Sequence, residues 1–330
     1  MNPQVLVTGG AGYIGSHVCR ALAAAGRVPV TIDNFSTGNE WAVRWGPLER
    51  GELDDAHFLD AVFARHRIGA VMHLAGSALA GVGEQEPLQY WHNNIGVGIR
   101  LLAAMDRHAV RHLVFSSSCA VYGQPARTPV DEDLPIAPIS VYGRSKAVFE
   151  TVLADVAARG RLDYVALRYF NAAGAAMDGT IGEWHVPETH LIPNVLLALR
   201  DERALQVFGS DYDTIDGTCV RDYVHVEDIA AAHLLALDRL ERGQGSIAAN
   251  IGSGRGYSVR EVIACCEQIA GRRVEVTPMP RRPGDPARLF ADSARAGAML
   301  GWQARHQGLE AIVASAWQWL DAGAARRSAR

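Results

Sequence analysis

Residues 5–17 read VLVTGGAGYIGSH, and this stretch decides the fold of the chain. Its first four residues are apolar or β-branched, as in a buried strand, and its last residues begin a helical pattern. Between them Gly9, Gly12 and Gly15 recur at three-residue spacing. Glycines so placed allow a tight turn and a close backbone approach to a pyrophosphate, which then lies at the helix N-terminus. The stretch predicts a dinucleotide-binding strand–turn–helix.

A carboxylate at the end of the next predicted strand, Pro29–Asp33, specifies the dinucleotide. Asp33 is placed to accept hydrogen bonds from the hydroxyls of the adenosine ribose. Its negative charge would repel a 2′-phosphate. We therefore predict NAD rather than NADP as the cofactor.

Working outward, the first half of the chain alternates short apolar segments with amphipathic ones. The predicted strands are Gln4–Thr8, Pro29–Asp33, Ala70–Leu74, His112–Ser116 and Tyr164–Arg168, and the predicted helices are Tyr13–Ala25, Asp55–His66, Gln89–His108 and Tyr142–Arg159. Buried strands that alternate with helices indicate an α/β fold with a doubly wound parallel sheet of the Rossmann type. Ligands bind such sheets at the carboxyl ends of the strands.

After Asn171 the pattern becomes rich in loops, which indicates a smaller C-terminal substrate-binding lobe. We predict a NAD-binding domain over residues 1–174, to which residues 221–251 return, and a mainly nucleotide-sugar-binding domain over residues 175–330. Arg221–Leu240 is predicted as a strand and helix that rejoin the first sheet. The remaining predicted elements are helices at Ile192–Asp201 and Ser258–Ala270 and a loop at Thr277–Gly284.

Composition excludes several classes of protein. The 330 residues carry a formal net charge of -4 with no large basic field, so we expect no nucleic-acid partner. No apolar run approaches the ~20 residues of a membrane span, and no membrane partner is expected. The five cysteines are scattered and form no zinc pattern with the histidines, so we predict a reducing, cytoplasmic location and no metal.

The reacting residues are predicted at the end of the fourth strand and in the helix after it. Tyr142 and Lys146 lie four residues apart and therefore share a helical face, while Ser118 ends a serine cluster. A nearby ammonium and an oxidised nicotinamide should lower the pKa of Tyr142 toward neutrality, where a general base works best. Ser118 can bind the same substrate oxygen. We predict these three as the catalytic residues.

Six motifs together resemble the extended short-chain dehydrogenase/reductase superfamily, and within it most closely the UDP-glucose 4-epimerase family. The motifs are TGGAGYIGSH (8–17), SSSCAVYG (116–123), VYGRSK (141–146), RYFNAAG (168–174), DGTCVRDYVHV (216–226) and RRPGD (281–285). The resemblance implies an isomerase that epimerises a UDP-hexose at C4. Tyr142 would take the 4-hydroxyl proton while C4 gives hydride to NAD, and the 4-keto sugar would turn its other face before both return.

The resemblance also implies the binding residues. The cofactor contacts would be Gly9, Gly12, Tyr13, Ile14, Gly15, Asp33, Asn34, Glu52, Leu53, Leu74, Ala75, Gly76, Asn93, Tyr142, Lys146 and Phe170. The substrate contacts would be Ser118, Asn171, His190, Leu191, Phe208, Arg221, Arg282, Asp285 and Leu289.

Three of these positions depart from the family pattern. Glu52 stands where an aspartate is common, and His190 stands where many relatives have asparagine, which leaves its role at the phosphates open. Leu289 falls where a bulky tyrosine excludes N-acetylated sugars in some epimerases. A leucine there predicts that UDP-N-acetylhexosamines are accepted as well.

Other functions remain as alternatives. Dehydratases of the superfamily carry Asp-Glu after the positioning serine or threonine, whereas this chain has Cys119 and Ala120. UDP-xylose or UDP-glucuronate 4-epimerases share the motifs, and a non-catalytic NAD-binding sensor would keep the glycines. In the resembling family the helices predicted at Gln89–His108 and Tyr142–Arg159 pair between subunits, so a homodimer is expected.

Overall fold

The computed structural model describes residues 3–78, 84–282 and 284–327. The strands are β1 Gln4–Thr8, β2 Pro29–Asp33, β3 Leu48–Arg50, β4 Ile68–His73, β5 His112–Ser118, β6 Asp163–Tyr169, β7 Asn171–Ala173, β8 Leu205–Phe208, β9 Val220–His225, β10 Ile247–Ile251, β11 Gly256–Ser258, β12 Val276–Met279 and β13 Arg288–Leu289. The helices are α1 Tyr13–Ala24, α2 Ala56–Arg65, α3 Pro87–Trp91, α4 Val97–Arg107, α5 Val141–Ala157, α6 Leu191–Arg200, α7 Val226–Glu241, α8 Val259–Ala270, α9 Ala294–Leu300 and α10 Leu309–Arg327.

The central sheet has seven parallel strands in the order β10-β6-β5-β4-β1-β2-β3. The order reverses between β1 and β4, which is the crevice where doubly wound sheets bind ligands. The prediction of a doubly wound parallel sheet is therefore confirmed.

Strand β1 illustrates how the sheet buries both faces. Val5 and Val7 pack into the apolar layer that contains α1 and α7, whereas Leu6 packs into the opposite layer with α2, α4 and α5. The alternation follows from the two-residue period of a strand. Each such fully buried aliphatic side chain contributes roughly 1.5–3 kcal/mol to folding.

The C-terminal part has its own small sheets and its own apolar core. Strand β9 pairs with β7 and β13 in parallel and with β11 in antiparallel fashion, and β8 pairs with β12. Helices α6, α8 and α10 pack together over a third apolar cluster. The division of the chain into residues 1–174 and 175–330 stays a prediction.

Two local predictions are corrected. Within Arg221–Leu240 the helix α7 packs on β5 and β6 of the first sheet, but the strand β9 belongs to the smaller sheet. Further along the chain, β10 pairs with β6 in the first sheet. The first residues of the predicted loop Thr277–Gly284 belong to strand β12 instead. Pro278 is tolerated there because β12 pairs with a neighbouring strand on one side only. None of the described helices has the length and hydropathy of a membrane span.

Candidate active site

The glycine loop after β1 is shaped by close backbone contacts. Gly9 has a φ of +71°, and a Cβ at Gly15 would lie 2.1 Å from the carbonyl oxygen of Gly9. Helix α1 therefore packs against the loop at a distance that only glycine permits. The helix begins at Gly12 with no side-chain cap and no acidic residue in its first turn. Its first N–H groups and positive dipole end thus suit a phosphate group.

Asp33 lies at the carboxyl end of β2, beside this loop. One carboxylate oxygen accepts the N–H of Ala11 at 2.9 Å, and the other accepts the N–H of Phe35 at 2.8 Å. Burial raises the pKa of Asp33, while the two backbone hydrogen bonds oppose that shift. Each oxygen retains a further lone pair for a ribose hydroxyl. Nearby, the exposed Glu52 accepts a hydrogen bond from Asn34 at 3.1 Å.

The segment after β4 lies next to the glycine loop because β1 and β4 are neighbours. The N–H of Ala75 donates to the Thr8 hydroxyl at 3.3 Å, and a Cβ at Gly9 would lie 2.8 Å from the Ala75 nitrogen. Leu74 and Gly76 flank this contact. Across the cleft, a π-helical turn at His92–Gly96 carries Asn93, whose amide donates to Ser77 at 3.2 Å.

Asn94 is a site residue that the sequence reasoning missed. Its oxygen accepts the N–H of Ser77 at 2.7 Å, and its amide donates to the Ser77 carbonyl and to Ser145, both at 3.0 Å. It thereby ties the segment after β4 to α5. The sequence signal for it was a pair of adjacent asparagines inside a predicted helix. They lie in the π-helical turn, a conformation that is frequent at functional sites.

These features fit NAD. The close-packed glycines and uncapped helix suit its pyrophosphate, and Asp33 suits a ribose without a 2′-phosphate. Tyr13 and Ile14 open α1, Leu53 is buried beyond β3, and Phe170 is buried directly after β6. The contacts of these residues with the cofactor stay predictions.

The start of α5 brings Tyr142 to Ser118. Ser140 caps the helix by accepting the N–H of Gly143 at 3.0 Å. Gly143 lets the helix approach the turn after β5, since a Cβ there would lie 2.4 Å from the Ala120 carbonyl oxygen. Ser118 lies at the end of β5, and hydrogen bonding with its hydroxyl opposes the rise that burial causes in the pKa of the Tyr142 phenol. That both hydroxyls contact one substrate oxygen stays a prediction.

Lys146 lies one turn further along α5 and is only 6% exposed. Its ammonium donates to the Ser116 carbonyl at 2.9 Å and lies 5.8 Å from the centroid of the Tyr142 ring. Burial lowers the pKa of Lys146 to about 8, partly opposed by the carboxylate of Glu150. A Cβ placed on Gly76 would lie 3.8 Å from the Lys146 ammonium. Lys146 therefore also reaches the segment after β4, which is the predicted cofactor side of the cleft.

The pKa expected for Tyr142 is not produced by the protein's own groups. Burial raises the pKa of Tyr142 to about 12, and the Ser118 hydrogen bond offsets only part of the increase. The sequence argument gave weight to the Lys146 charge but not to the loss of phenolate hydration. The positive charge of a bound oxidised nicotinamide would act against this increase.

The predicted substrate residues form a second group in the C-terminal part. Arg221 on β9 makes an ion pair with Asp285, and Arg282 stacks over the Phe208 ring at 4.1 Å. A guanidinium fork suits a diphosphate, and a stacked pair of planar groups suits the edge of a base-binding pocket. On the neighbouring strands, Asn171 donates to the Asp222 carbonyl at 2.8 Å.

The remaining predicted substrate residues are His190, Leu191 and Leu289. His190 contacts the carboxylate of Glu183, and its neighbour Leu191 begins α6. Leu289 is 7% exposed and packs with the central core from β13. The contacts of all the predicted substrate residues with a nucleotide sugar stay predictions.

Asp222 was also missed. It is fully buried, and its carboxylate accepts hydrogen bonds from Ser253, Gly254 and Ala291 at 2.6–3.1 Å. It therefore fixes β9 and β13 together, and with them Arg221. Its position inside the DGTCVRDYVHV motif gave no indication of whether it pointed to a ligand or to the backbone.

Comparison with known proteins agrees with this geometry. Residues 5–252 match the model of the NAD dependent epimerase/dehydratase family. The UDP-glucose 4-epimerase of Azospirillum brasilense is 48% identical over 320 residues, which cover 96% of this chain and 92% of the relative. A crystal structure of UDP-glucose 4-epimerase from Brucella ovis in complex with NAD has a TM-score of 0.93 at 45% identity and covers 96% of this chain and 98% of that one. The enzyme from Bifidobacterium longum in complex with NAD+ and UDP has a TM-score of 0.92 at 36% identity, with coverage of 97% and 99%.

Proposed function

The chain belongs to the NAD dependent epimerase/dehydratase family, and from this premise we propose that it catalyses the NAD-dependent 4-epimerisation of a UDP-hexose. UDP-glucose and UDP-galactose are the proposed pair. The observation that carries the proposal is the position of the buried Lys146 ammonium, which donates to the Ser116 carbonyl at 2.9 Å and lies 5.8 Å from the centroid of the Tyr142 ring and 3.8 Å from a Cβ placed on Gly76. In this geometry a phenol, a hydroxyl and a buried ammonium face one cleft.

Tyr142 is proposed to take the proton from the 4-hydroxyl of the hexose and to return it on the opposite face. Ser118 holds the same oxygen and orients it toward Tyr142. When bound, NAD supplies the acceptor for the hydride of C4 and the donor that gives it back. Lys146 supplies a positive charge near Tyr142, and its ammonium is held in place by donating to the Ser116 carbonyl on β5.

The UDP part of the substrate is proposed to bind across the C-terminal part. Arg221 is 12% exposed, and its charge is held by Asp285, so it can move from this carboxylate to a phosphate without a large loss of hydration. Arg282 and Phe208 present a stacked pair to the uracil end. Holding UDP there leaves the hexose free to turn.

A wider substrate range is proposed from Leu289. It is buried in β13, beside Arg221 on β9, because Leu289 pairs with Arg221 in parallel register. A leucine occupies less space than a tyrosine and leaves room for an N-acetyl group. We therefore propose that UDP-N-acetylglucosamine and UDP-N-acetylgalactosamine are also interconverted.

We further propose a homodimer in the cytoplasm. Helices α4 and α5 leave Ile99 and Val148 exposed by 47% and 41%. An apolar contact between copies would bury both side chains. All five cysteines are free, in keeping with a reducing compartment. Light scattering at micromolar protein should give the mass of a dimer, and Ile99→Asp should shift it to the monomer. A stable wild-type monomer would refute this.

The proposed activity is tested by product analysis. Purified protein is incubated separately with UDP-galactose, UDP-N-acetylgalactosamine, UDP-xylose and UDP-glucuronate, and the products are separated by ion-exchange chromatography. We expect UDP-glucose from the first and UDP-N-acetylglucosamine from the second. Turnover of UDP-xylose or UDP-glucuronate alone would show that the substrate is that nucleotide sugar and not a UDP-hexose. If NAD copurifies with the protein but no sugar is turned over, the protein is a sensor rather than an enzyme.

A further inference from the structure

The loop before α6 gathers four side chains of metal-ligating types, three of which have no predicted part in the proposed reaction. Glu183, His185, Glu188 and His190 follow one another in the spacing Glu-x-His-x-x-Glu-x-His. One ligand atom from each lies within 4.8 Å of the others. The four side chains therefore meet at a single point, although the sequence reasoning considered His190 only as a substrate contact.

The distances suit a small tetrahedral ion. The Nδ1 atom of His185 lies 3.2 Å from Oε1 of Glu183 and 3.8 Å from Oε1 of Glu188. The Nδ1 atom of His190 lies 3.9 Å from Oε1 of Glu188 and closer still to Glu183. Tetrahedral bonds of about 2.0–2.2 Å separate ligand atoms by about 3.3–3.6 Å. Movements below about 1 Å would bring all four atoms into place.

Burial makes the cluster attractive to a cation. The side chains of Glu183 and Glu188 are only 6% and 8% exposed, yet among the described residues their ion-pair partners are the two histidines and no lysine or arginine. Two carboxylates withdrawn from water require positive charge nearby. Nδ1 of His185 is itself buried and makes no well-aligned hydrogen bond with any described residue, despite its distance of 3.2 Å from Glu183.

We propose that Glu183, His185, Glu188 and His190 form a site for a divalent transition-metal ion of the zinc class. Two imidazole nitrogens and two carboxylate oxygens are ligands that Zn²⁺ takes in tetrahedral geometry, whereas Mg²⁺ and Ca²⁺ prefer oxygen ligands alone. The site does not include Tyr142, Ser118 or Lys146, but it takes His190 from the predicted substrate contacts. It revises the sequence-based prediction of no metal, which considered only patterns of cysteine with histidine.

The ion would fix the junction between the two parts of the chain. His190 immediately precedes α6, and His185 lies edge-on to Tyr13 with 6.5 Å between ring centroids. Tyr13 is the first residue of α1 and donates to the Gly174 carbonyl at 2.6 Å. A bound ion would therefore hold the loop of residues 183–190 against the glycine loop and position the start of α6.

A second cluster of His225, Glu227 and His306 provides an internal control. Its histidines are already engaged: His225 contacts Ser315 at 3.2 Å and accepts the N–H of Glu227, and His306 pairs with Asp228 at 3.0 Å. It has fewer free ligand atoms, and we expect no tight binding there.

The test uses the full-length protein with its nucleotide, treated with a chelator and then freed of it. Co²⁺ is titrated as a spectroscopic probe, and Zn²⁺ affinity is measured by competition with a chromophoric chelator. The variants are His185→Gln, Glu188→Gln, the control His306→Gln at the second cluster and the control His57→Gln on the exposed face of α2. Circular dichroism of each variant with chelator present establishes that it is folded.

We expect one ion per chain with the intense visible absorption of tetrahedral Co²⁺. His185→Gln and Glu188→Gln should each weaken Zn²⁺ binding by more than the ~10–100-fold that loss of an outer-shell partner costs, while both controls bind normally. If the wild type binds no ion, or if both ligand variants bind as tightly as the wild type, the assignment is refuted. Binding that is lost only in His306→Gln would refute it too. If one ligand variant is unfolded, the other decides.

Discussion

Replacing Gly143 by alanine should impair the reaction without touching any catalytic side chain. The added Cβ would lie 2.4 Å from the Ala120 carbonyl oxygen and 3.0 Å from the Cβ of Pro138. Ordinary contact begins at 3.4 Å, so the start of α5 must move away by about 1 Å. The turn at Cys119–Tyr122 cannot yield, because Val121 and Tyr122 are buried in the core. The displacement therefore falls on Tyr142, which adjoins the substitution.

A misplacement of about 1 Å in a reacting group costs on the order of 100-fold in rate. Overpacking costs about 1–3 kcal/mol, and the better helix propensity of alanine returns up to about 1 kcal/mol. We expect kcat to fall by about 100-fold and the free energy of unfolding to fall by about 1–2 kcal/mol. Initial rates of UDP-galactose conversion and urea unfolding measure the two quantities.

The matched control is Gly297→Ala in α9, where the nearest atom to the new Cβ is 3.7 Å away. It should leave kcat unchanged and stabilise the protein slightly. If folded Gly143→Ala keeps kcat within about twofold of the wild type, the close approach of α5 to the turn does not position Tyr142, and the reasoning is refuted.

Three further substitutions test the binding residues. Asp33→Asn removes one acceptor and the charge beside the ribose, so the purified protein should retain less NAD, measured by its absorbance after acid release; unchanged NAD content would contradict the role of Asp33. Arg221→Lys loses the forked donor that pairs with Asp285, and UDP affinity measured by calorimetry should fall by about 10–100-fold, corresponding to a charged hydrogen bond of roughly 1.5–3 kcal/mol. Leu289→Tyr should abolish turnover of UDP-N-acetylgalactosamine while UDP-galactose is still converted; equal loss of both would show a general packing defect.

The sheet was predictable because its signals are local, and signals of the same kind carry the prediction of Tyr142, Lys146 and Ser118 as the catalytic residues. The glycines after β1, the carboxylate after β2 and the four-residue spacing of Tyr142 and Lys146 each follow from the geometry of one turn or helix. The two ends of the reacting cleft then meet because β1, β4 and β5 are neighbours in any sheet wound in this order.

What escaped prediction depends on contacts between distant segments. The pKa of Tyr142 is raised by burial, which the pair of Tyr142 and Lys146 does not reveal. Asp222 binds backbone groups 31 to 69 residues away, and sequence spacing does not indicate such contacts. The Glu-x-His-x-x-Glu-x-His loop was visible in the sequence, but only its folded conformation brings the four side chains to one point.

The most direct test of the account is the rate of UDP-galactose conversion by Tyr142→Phe at equal NAD content. The phenyl ring keeps the packing of Tyr142 and removes only the hydroxyl that is the proposed base. Loss of a general base costs about 10²–10⁴-fold, so we predict a fall in kcat of at least about 100-fold with NAD and UDP binding retained. Tyr164→Phe, at the far end of β6, should behave as the wild type. A Tyr142→Phe variant that converts UDP-galactose within about tenfold of the wild-type rate would contradict the account.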